Sequence, residues 1–190
     1  ASIVLVDEIN RTPPRTQSAL LEALSEGRVT VDNTTYDLPD PFMVIATQNP
    51  REFHGAYPLP ESQLDRFLLC IDVGYPDRDV ERSIIEEYGY DDPVSSITPA
   101  ASMEEVVRWQ KRVSQVRVDS TLVDYMMSLV EATRNHPHLD VGMSTRGAIC
   151  LHKAAQSVAY VRGRAYVTPD DIAELVVPVC SHRVWIRAQY

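Results

Sequence analysis

Three short runs rich in β-branched residues and leucine, all within the first 75 residues, constrain the fold of this 190-residue chain most. Ser2–Val6, Phe42–Thr47 and Phe67–Val73 are each nearly continuous in apolar residues, the pattern of strands buried on both faces as in a parallel sheet. Between them lie helix-like pieces. Ala19, Leu20, Ala23 and Leu24 recur at helical spacing between Pro13–Pro14, which suit an entry, and Gly27, which suits a stop. A second piece is expected around Glu61–Asp65. Strands alternating with helices predict an α/β layer. Arg28–Asp32 and Thr35–Leu38, flanking Asn33–Thr34, predict a small hairpin ahead of the second strand. That strand opens after Pro41 and runs into a loop at Gln48–Asn49–Pro50.

After Gly74–Tyr75–Pro76–Asp77 the pattern becomes helical throughout. The chain should divide into 1–75, an α/β part, and 76–190, an all-α part. Ser102–Met103–Glu104–Glu105 has the form of a capping box, and Asp119–Ser120 can cap a helix through Arg134. Another helix should run from Ser144 to Tyr160. Thr168–Pro169–Asp170–Asp171 sets a capping hydroxyl, a proline at the first helical position and two acids on the positive helix end.

Composition narrows the function. With 18 Lys+Arg against 27 Asp+Glu the chain carries a net charge of −9, which argues against a nucleic-acid-coating surface. No apolar run reaches the roughly 18 residues of a membrane helix. The opening ASIVLVDEINR lacks a basic segment and a cleavage site, so a soluble, cytoplasmic protein is expected. Cys70, Cys150 and Cys180 stand in apolar stretches at wide spacings and read as reduced core residues. His136–Pro137–His138 reads as a loop rather than a metal pair, and no Gly-x-Ser-x-Gly nucleophile elbow occurs.

The chemistry lies in four places. Val4–Val6 delivers Asp7 and Glu8 together at a strand end, where both can reach a crevice outside the sheet. One carboxylate can hold magnesium and the other can polarise an attacking water. Asn49 follows the second strand and can orient a water. Arg66 precedes the third strand and Arg146 opens a helix, and an arginine fork suits phosphate oxygens. Each has a plainer reading alone: solvated acids at a strand end, a turn asparagine, an Arg66–Asp65 ion pair, a solvated Arg146.

DEINR with PPRTQSALLEAL, VTVDNTTYDLPDPFMVIATQNP, YPLPESQLDRFLL, STRGA and YVTPDDI together resemble the MoxR family of AAA+ ATPases, over essentially the whole chain. The resemblance implies an AAA+ nucleotide domain followed by a helical lid. Val4–Glu8 resembles the Walker B strand, with Asp7 on magnesium and Glu8 the catalytic base. Thr47–Gln48–Asn49 resembles sensor 1, Leu64–Asp65–Arg66–Phe67 the arginine-finger motif acting on a neighbouring subunit, and Ser144–Thr145–Arg146 sensor 2. ATP and Mg²⁺ are the implied cofactors. A homo-oligomeric ring, commonly a hexamer, and partner proteins with von Willebrand factor A domains are the implied company. Thr145 stands where many relatives have proline.

The sequence departs from the family pattern in one large way. Its two lysines, Lys111 and Lys153, do not follow glycine, so it holds no Gly-x-x-x-x-Gly-Lys-Ser/Thr phosphate loop. The chain therefore resembles the C-terminal portion of such an ATPase, inactive by itself. The strand between the Walker B side and the third strand would be missing, so another chain or the lid should cover an open sheet. Two rival readings remain: a non-hydrolysing assembly or regulatory module, and a DNA-linked or magnesium-chelatase-like AAA+ subunit.

Overall fold

The computed structural model describes residues 2–49, 57–87 and 97–188. Pro50 and His54 lie outside them. Strand β1 (Ile3–Val6) pairs in parallel with β4 (Met43–Ala46), in the register Ile3↔Met43 to Val6↔Ala46. Between them come helix α1 (Pro14–Glu26) and the antiparallel hairpin β2 (Arg28–Val31) and β3 (Thr34–Asp37). Gly27 ends α1 in the left-handed region at φ 64°, donating its N–H to Ala23 O at 3.1 Å, as expected of a glycine helix stop. The hairpin turns one residue earlier than the sequence suggested, at Asp32–Asn33. Both residues have positive φ (48° and 63°), which a two-residue hairpin turn demands and which Asp and Asn tolerate.

The sheet is not buried on both faces as expected. Ile3, Leu5, Met43 and Ile45 share one face and are 61%, 67%, 54% and 44% exposed, whereas Val44 on the other face is buried. The expected third strand does not form either. Residues 67–73 follow the short helix α2 (Glu61–Leu64) as irregular chain, with Leu68, Leu69, Ile71 and Val73 exposed. A strand needs a neighbour for its amides and carbonyls. Here those groups are taken elsewhere: Cys70 N–H donates to Pro178 O at 2.8 Å, and the Phe67 and Leu68 carbonyls accept from Arg183. Cys70 is accordingly exposed rather than a core residue; Cys150 is half-buried and Cys180 buried.

The remaining chain is helical: α3 (Arg78–Glu87), α4 (Met103–Val113), α5 (Ser120–Asn135), α6 (Thr145–Val161) and α7 (Pro169–Cys180). The caps fall where the sequence places them. Ser102 and Glu105 form the reciprocal capping box of α4, Asp119 accepts the Thr121 amide, and Ser144 accepts the Gly147 amide. At α7 the Asp171 carboxylate reaches back to the Thr168 N–H and hydroxyl, both at 2.9 Å. Leu151, Ala155 and Ala159 of α6 face Ile172 and Val179 of α7 in a core that also takes Met126 and Val130 of α5. Every fourth position of α6 is thus inside, and each large side chain so buried contributes about 1.5–3 kcal/mol. A short antiparallel pair, β5 (Leu139–Val141) with β6 (Trp185–Ile186), closes this part and carries no sequence signal strong enough to predict it.

Candidate functional site

Parallel pairing of β1 with β4 brings their carboxyl ends side by side, and the acids sit there. Asp7 follows β1, and Thr47, one residue beyond β4, ties the two ends together. Its hydroxyl donates to Asp7 Oδ1 at 2.6 Å and accepts the Glu8 N–H at 2.8 Å. Backbone bonds complete the tie: Thr47 N–H to Val6 O and Ile9 N–H to Thr47 O, each 3.0 Å. Thr47 thereby fixes both acids, a role that sequence reasoning did not assign to it.

Glu8 occupies the left-handed region (φ 47°, ψ 56°) at the start of a 3-10 turn, Ile9–Arg11. Non-glycine residues visit that region at a cost, and such residues cluster at functional sites. The turn swings the Glu8 carboxylate away from the line of the strand, where it pairs with Arg11 Nε at 3.0 Å. Asn10 Nδ2 donates to Asn49 O at 3.4 Å, drawing the loop after β4 toward the acids, and Asn10 Oδ1 is buried with no partner. Helix α1 backs the arrangement: buried Gln17 donates through Nε2 to Ile9 O at 3.2 Å and Tyr57 O at 3.0 Å.

Asp7 and Glu8 are therefore brought together, and Asn49 is linked to them through its backbone carbonyl and Asn10. The two arginines are elsewhere. Arg66 donates through Nη1 to Leu21 O at 3.4 Å and to Ser25 Oγ, against the last turns of α1. It does not pair with Asp65. Arg146 is exposed on the first turn of α6, with no hydrogen bond or ion pair among the described residues. Asp65 belongs to a different group, in which it accepts from the Ser144 hydroxyl at 3.0 and 2.8 Å and from Arg183 Nε at 3.0 Å. Arg183 is fully buried, and no local pattern in the sequence announces it.

Magnesium is a hard cation that takes oxygen ligands, holding one or two carboxylates while keeping waters and substrate phosphates. Asp7 and the neighbouring Thr47 hydroxyl form an oxygen-only edge open to solvent, and this donor set fits the metal. No cluster of three or more His, Cys, Asp or Glu that could hold an ion by itself occurs among the described residues. The nucleotide is fitted only in part, since the sequence holds no phosphate loop. His136 and His138 form a loop contact, ring edge to face at 5.3 Å.

Comparison with known proteins finds relatives along the length of the chain. Residues 1–69 match the ATPase family associated with various cellular activities, and residues 131–189 match the AAA lid domain. YeaC of Bacillus subtilis, an uncharacterized protein, is 46% identical over 188 residues, covering 99% of this chain and 59% of that protein. The chaperone MoxR1 of Mycobacterium tuberculosis is 42% identical over 193 residues, covering 97% and 51%. The chloroplast magnesium-chelatase subunit ChlI-1 of Arabidopsis thaliana is more distant, at 29% over 186 residues. The crystal structure of a candidate ATPase from Cytophaga hutchinsonii superposes with a TM-score of 0.91 at 35% identity, over 99% of this chain and 60% of that one. These matches and the fold thus assign the chain to the class of AAA+ ATPases. Within that class the chain belongs to the MoxR family. It spans between 51% and 60% of the length of its MoxR1, YeaC and Cytophaga relatives.

Proposed function

We propose that this chain forms the latter part of an ATP-hydrolysing motor, with residues 1–75 in the nucleotide domain and 76–190 the lid. The observation that carries the reading is the Thr47 tie, which presents Asp7 and Glu8 side by side at adjoining strand ends. Bound Mg·ATP supplies the phosphoryl group and a cation that neutralises its charge. Asp7 holds the metal side. Glu8, released from Arg11, accepts the proton of the attacking water, and Asn49 orients that water. Arg66 reaches the nucleotide of a neighbouring subunit in a ring, a hexamer in this reading, and stabilises charge on the transferring group. Arg146 contacts phosphates from the lid. The motor acts in the cytoplasm as a chaperone-like remodeller of partner proteins, including those with von Willebrand factor A domains; the name of the mycobacterial relative supports that role. Among the described residues, no helix is long and apolar enough to cross a membrane.

The test compares ATP turnover of this chain with that of the protein expressed from its full reading frame. Turnover by a longer product carrying a phosphate loop, and none by the chain alone, is the expected result. A full-length product that neither binds nor hydrolyses ATP refutes the motor and favours the non-hydrolysing module.

A further inference from the structure

Arg183 is the most heavily engaged side chain outside the acidic site, and nothing in the proposed chemistry uses it. It stands just beyond α7, and its side chain is 0% exposed. Its Nε donates to Asp65 Oδ1 at 3.0 Å, and its Nη1 to Val179 O and, at 3.3 Å, to Leu68 O. Its Nη2 donates to Asp65 O at 3.1 Å and to Phe67 O. Those two carbonyls flank Arg66, so a single nitrogen grips the backbone on both sides of that residue. The Arg66 side chain, by contrast, lies on the surface against Ser25 and Leu21, able to leave without disturbing its backbone.

The same carboxylate reaches the other arginine's helix. Asp65 accepts the hydroxyl of Ser144, the N-cap of α6, and Arg146 follows two residues later. Gly147 completes the join: a Cβ there would stand 2.9 Å from Arg183 Cδ and 3.3 Å from its Nε. The guanidinium passes through the space a side chain would fill. A fork with donors on three nitrogens is needed to meet a carboxylate and several carbonyls at once, which an ammonium cannot do.

We propose that Arg183, Asp65 and Ser144 are positioning residues that lock the backbone of Arg66 to the start of α6, so that the orientation of the lid sets where the Arg66 guanidinium stands for the next subunit. This rests on the trans role of Arg66 proposed above. Misplacement by about 1 Å can cost on the order of 100-fold in rate. Asp65→Asn in the full-length protein is therefore expected to lower kcat by about 10- to 100-fold. KM for ATP should stay within about twofold, because the lost contact forms only in the transition state. Ser144→Gly, which retains a tolerated N-cap residue, is expected to give a smaller kcat loss, and Ser144→Thr to restore it. It serves equally if Asp65→Asn does not fold.

Mixed rings provide the decisive readout. Glu8→Gln subunits have a dead site and an intact Arg66; clasp variants have an intact site and a misplaced Arg66. Mixing should recover activity for Asp65→Asn and Ser144→Gly, as for Arg66→Ala. A purely structural role in the lid would give no recovery. Recovery for Arg66→Ala alone overturns the clasp and leaves the trans role standing. No recovery even for Arg66→Ala overturns the trans role, and the clasp with it. Wild-type kcat in both clasp variants also overturns the clasp.

Discussion

Replacing Asp171 by alanine should remove a large polar contribution to the helical part. The carboxylate is 0% exposed. It accepts Arg164 through two nitrogens at 2.7 and 2.5 Å, Arg162 at 3.0 Å, and the Thr168 amide and hydroxyl at 2.9 Å each. Breaking a buried pair by removing one partner costs about 3–5 kcal/mol, because the remaining charge is left uncompensated. Arg162 and Arg164 are 43% and 23% exposed, so both can turn to water, which places the loss near the lower end, about 3 kcal/mol. For a chain of this size that is a Tm lower by about 6–12 °C. Urea unfolding followed by circular dichroism at 222 nm, with Trp109 and Trp185 as fluorescence probes, measures it. Hydrogen bonds from Arg164 above all hold the Asp171 carboxyl well below the ordinary carboxylate range. Its stabilisation is present above the unfolded value near 3.9 and lost as pH falls through the folded one, so Asp171→Ala should flatten the acid limb. A loss under about 1 kcal/mol, the size of an exposed ion pair, would refute the reasoning.

In the full-length protein, Glu8→Gln should abolish turnover while nucleotide stays bound; normal turnover would remove Glu8 from the base role. Burial first, then the Arg183 charge, lowers the pKa of His182, whose Nε2 lies 3.1 Å from Phe67 O. The folded state therefore binds this proton less readily than the unfolded chain. Stability should fall as pH drops below about 6.5, by at most about 1.4 kcal/mol per unit, and then level off. His182→Gln should lose that slope; an unchanged slope would assign it to other groups. In the 190-residue chain, Cys70 should react quickly with a thiol reagent at pH 8. Cys180, buried and with its thiol pushed up to about 11, should stay silent until unfolding. Equal rates would contradict the packing of α7.

What was legible in the sequence follows from the range of the forces involved. Helix ends were legible because a cap is decided within four residues, as Ser102 with Glu105 and Thr168 with Asp171 show. The acids were legible because a strand fixes where its own end points. Residues 67–73 were misread because a strand's composition states only that it can pair, and here the lid takes its carbonyls. The plain reading of Asp65 as a partner for Arg66 failed for the related reason that charge pairing has no preference for neighbours. Arg183 and Ser144 reach Asp65 from 118 and 79 positions away, and nothing local marks them. Thr47 was overlooked because a hydroxyl gains its role only once β4 lies beside β1.

The span of the Asp65–Arg183 contact has a consequence for how the molecule is made. A ribosome adds about 5–20 residues per second, so Asp65 enters solution about 6–24 s before the arginine 118 positions later that will hold it. Until then the backbone groups of Phe67, Leu68 and Cys70 lack the partners that Arg183 and Pro178 will give them. Helix α1 and the β1–β4 pair can close in that interval; the setting of Arg66 waits until Arg183 has emerged.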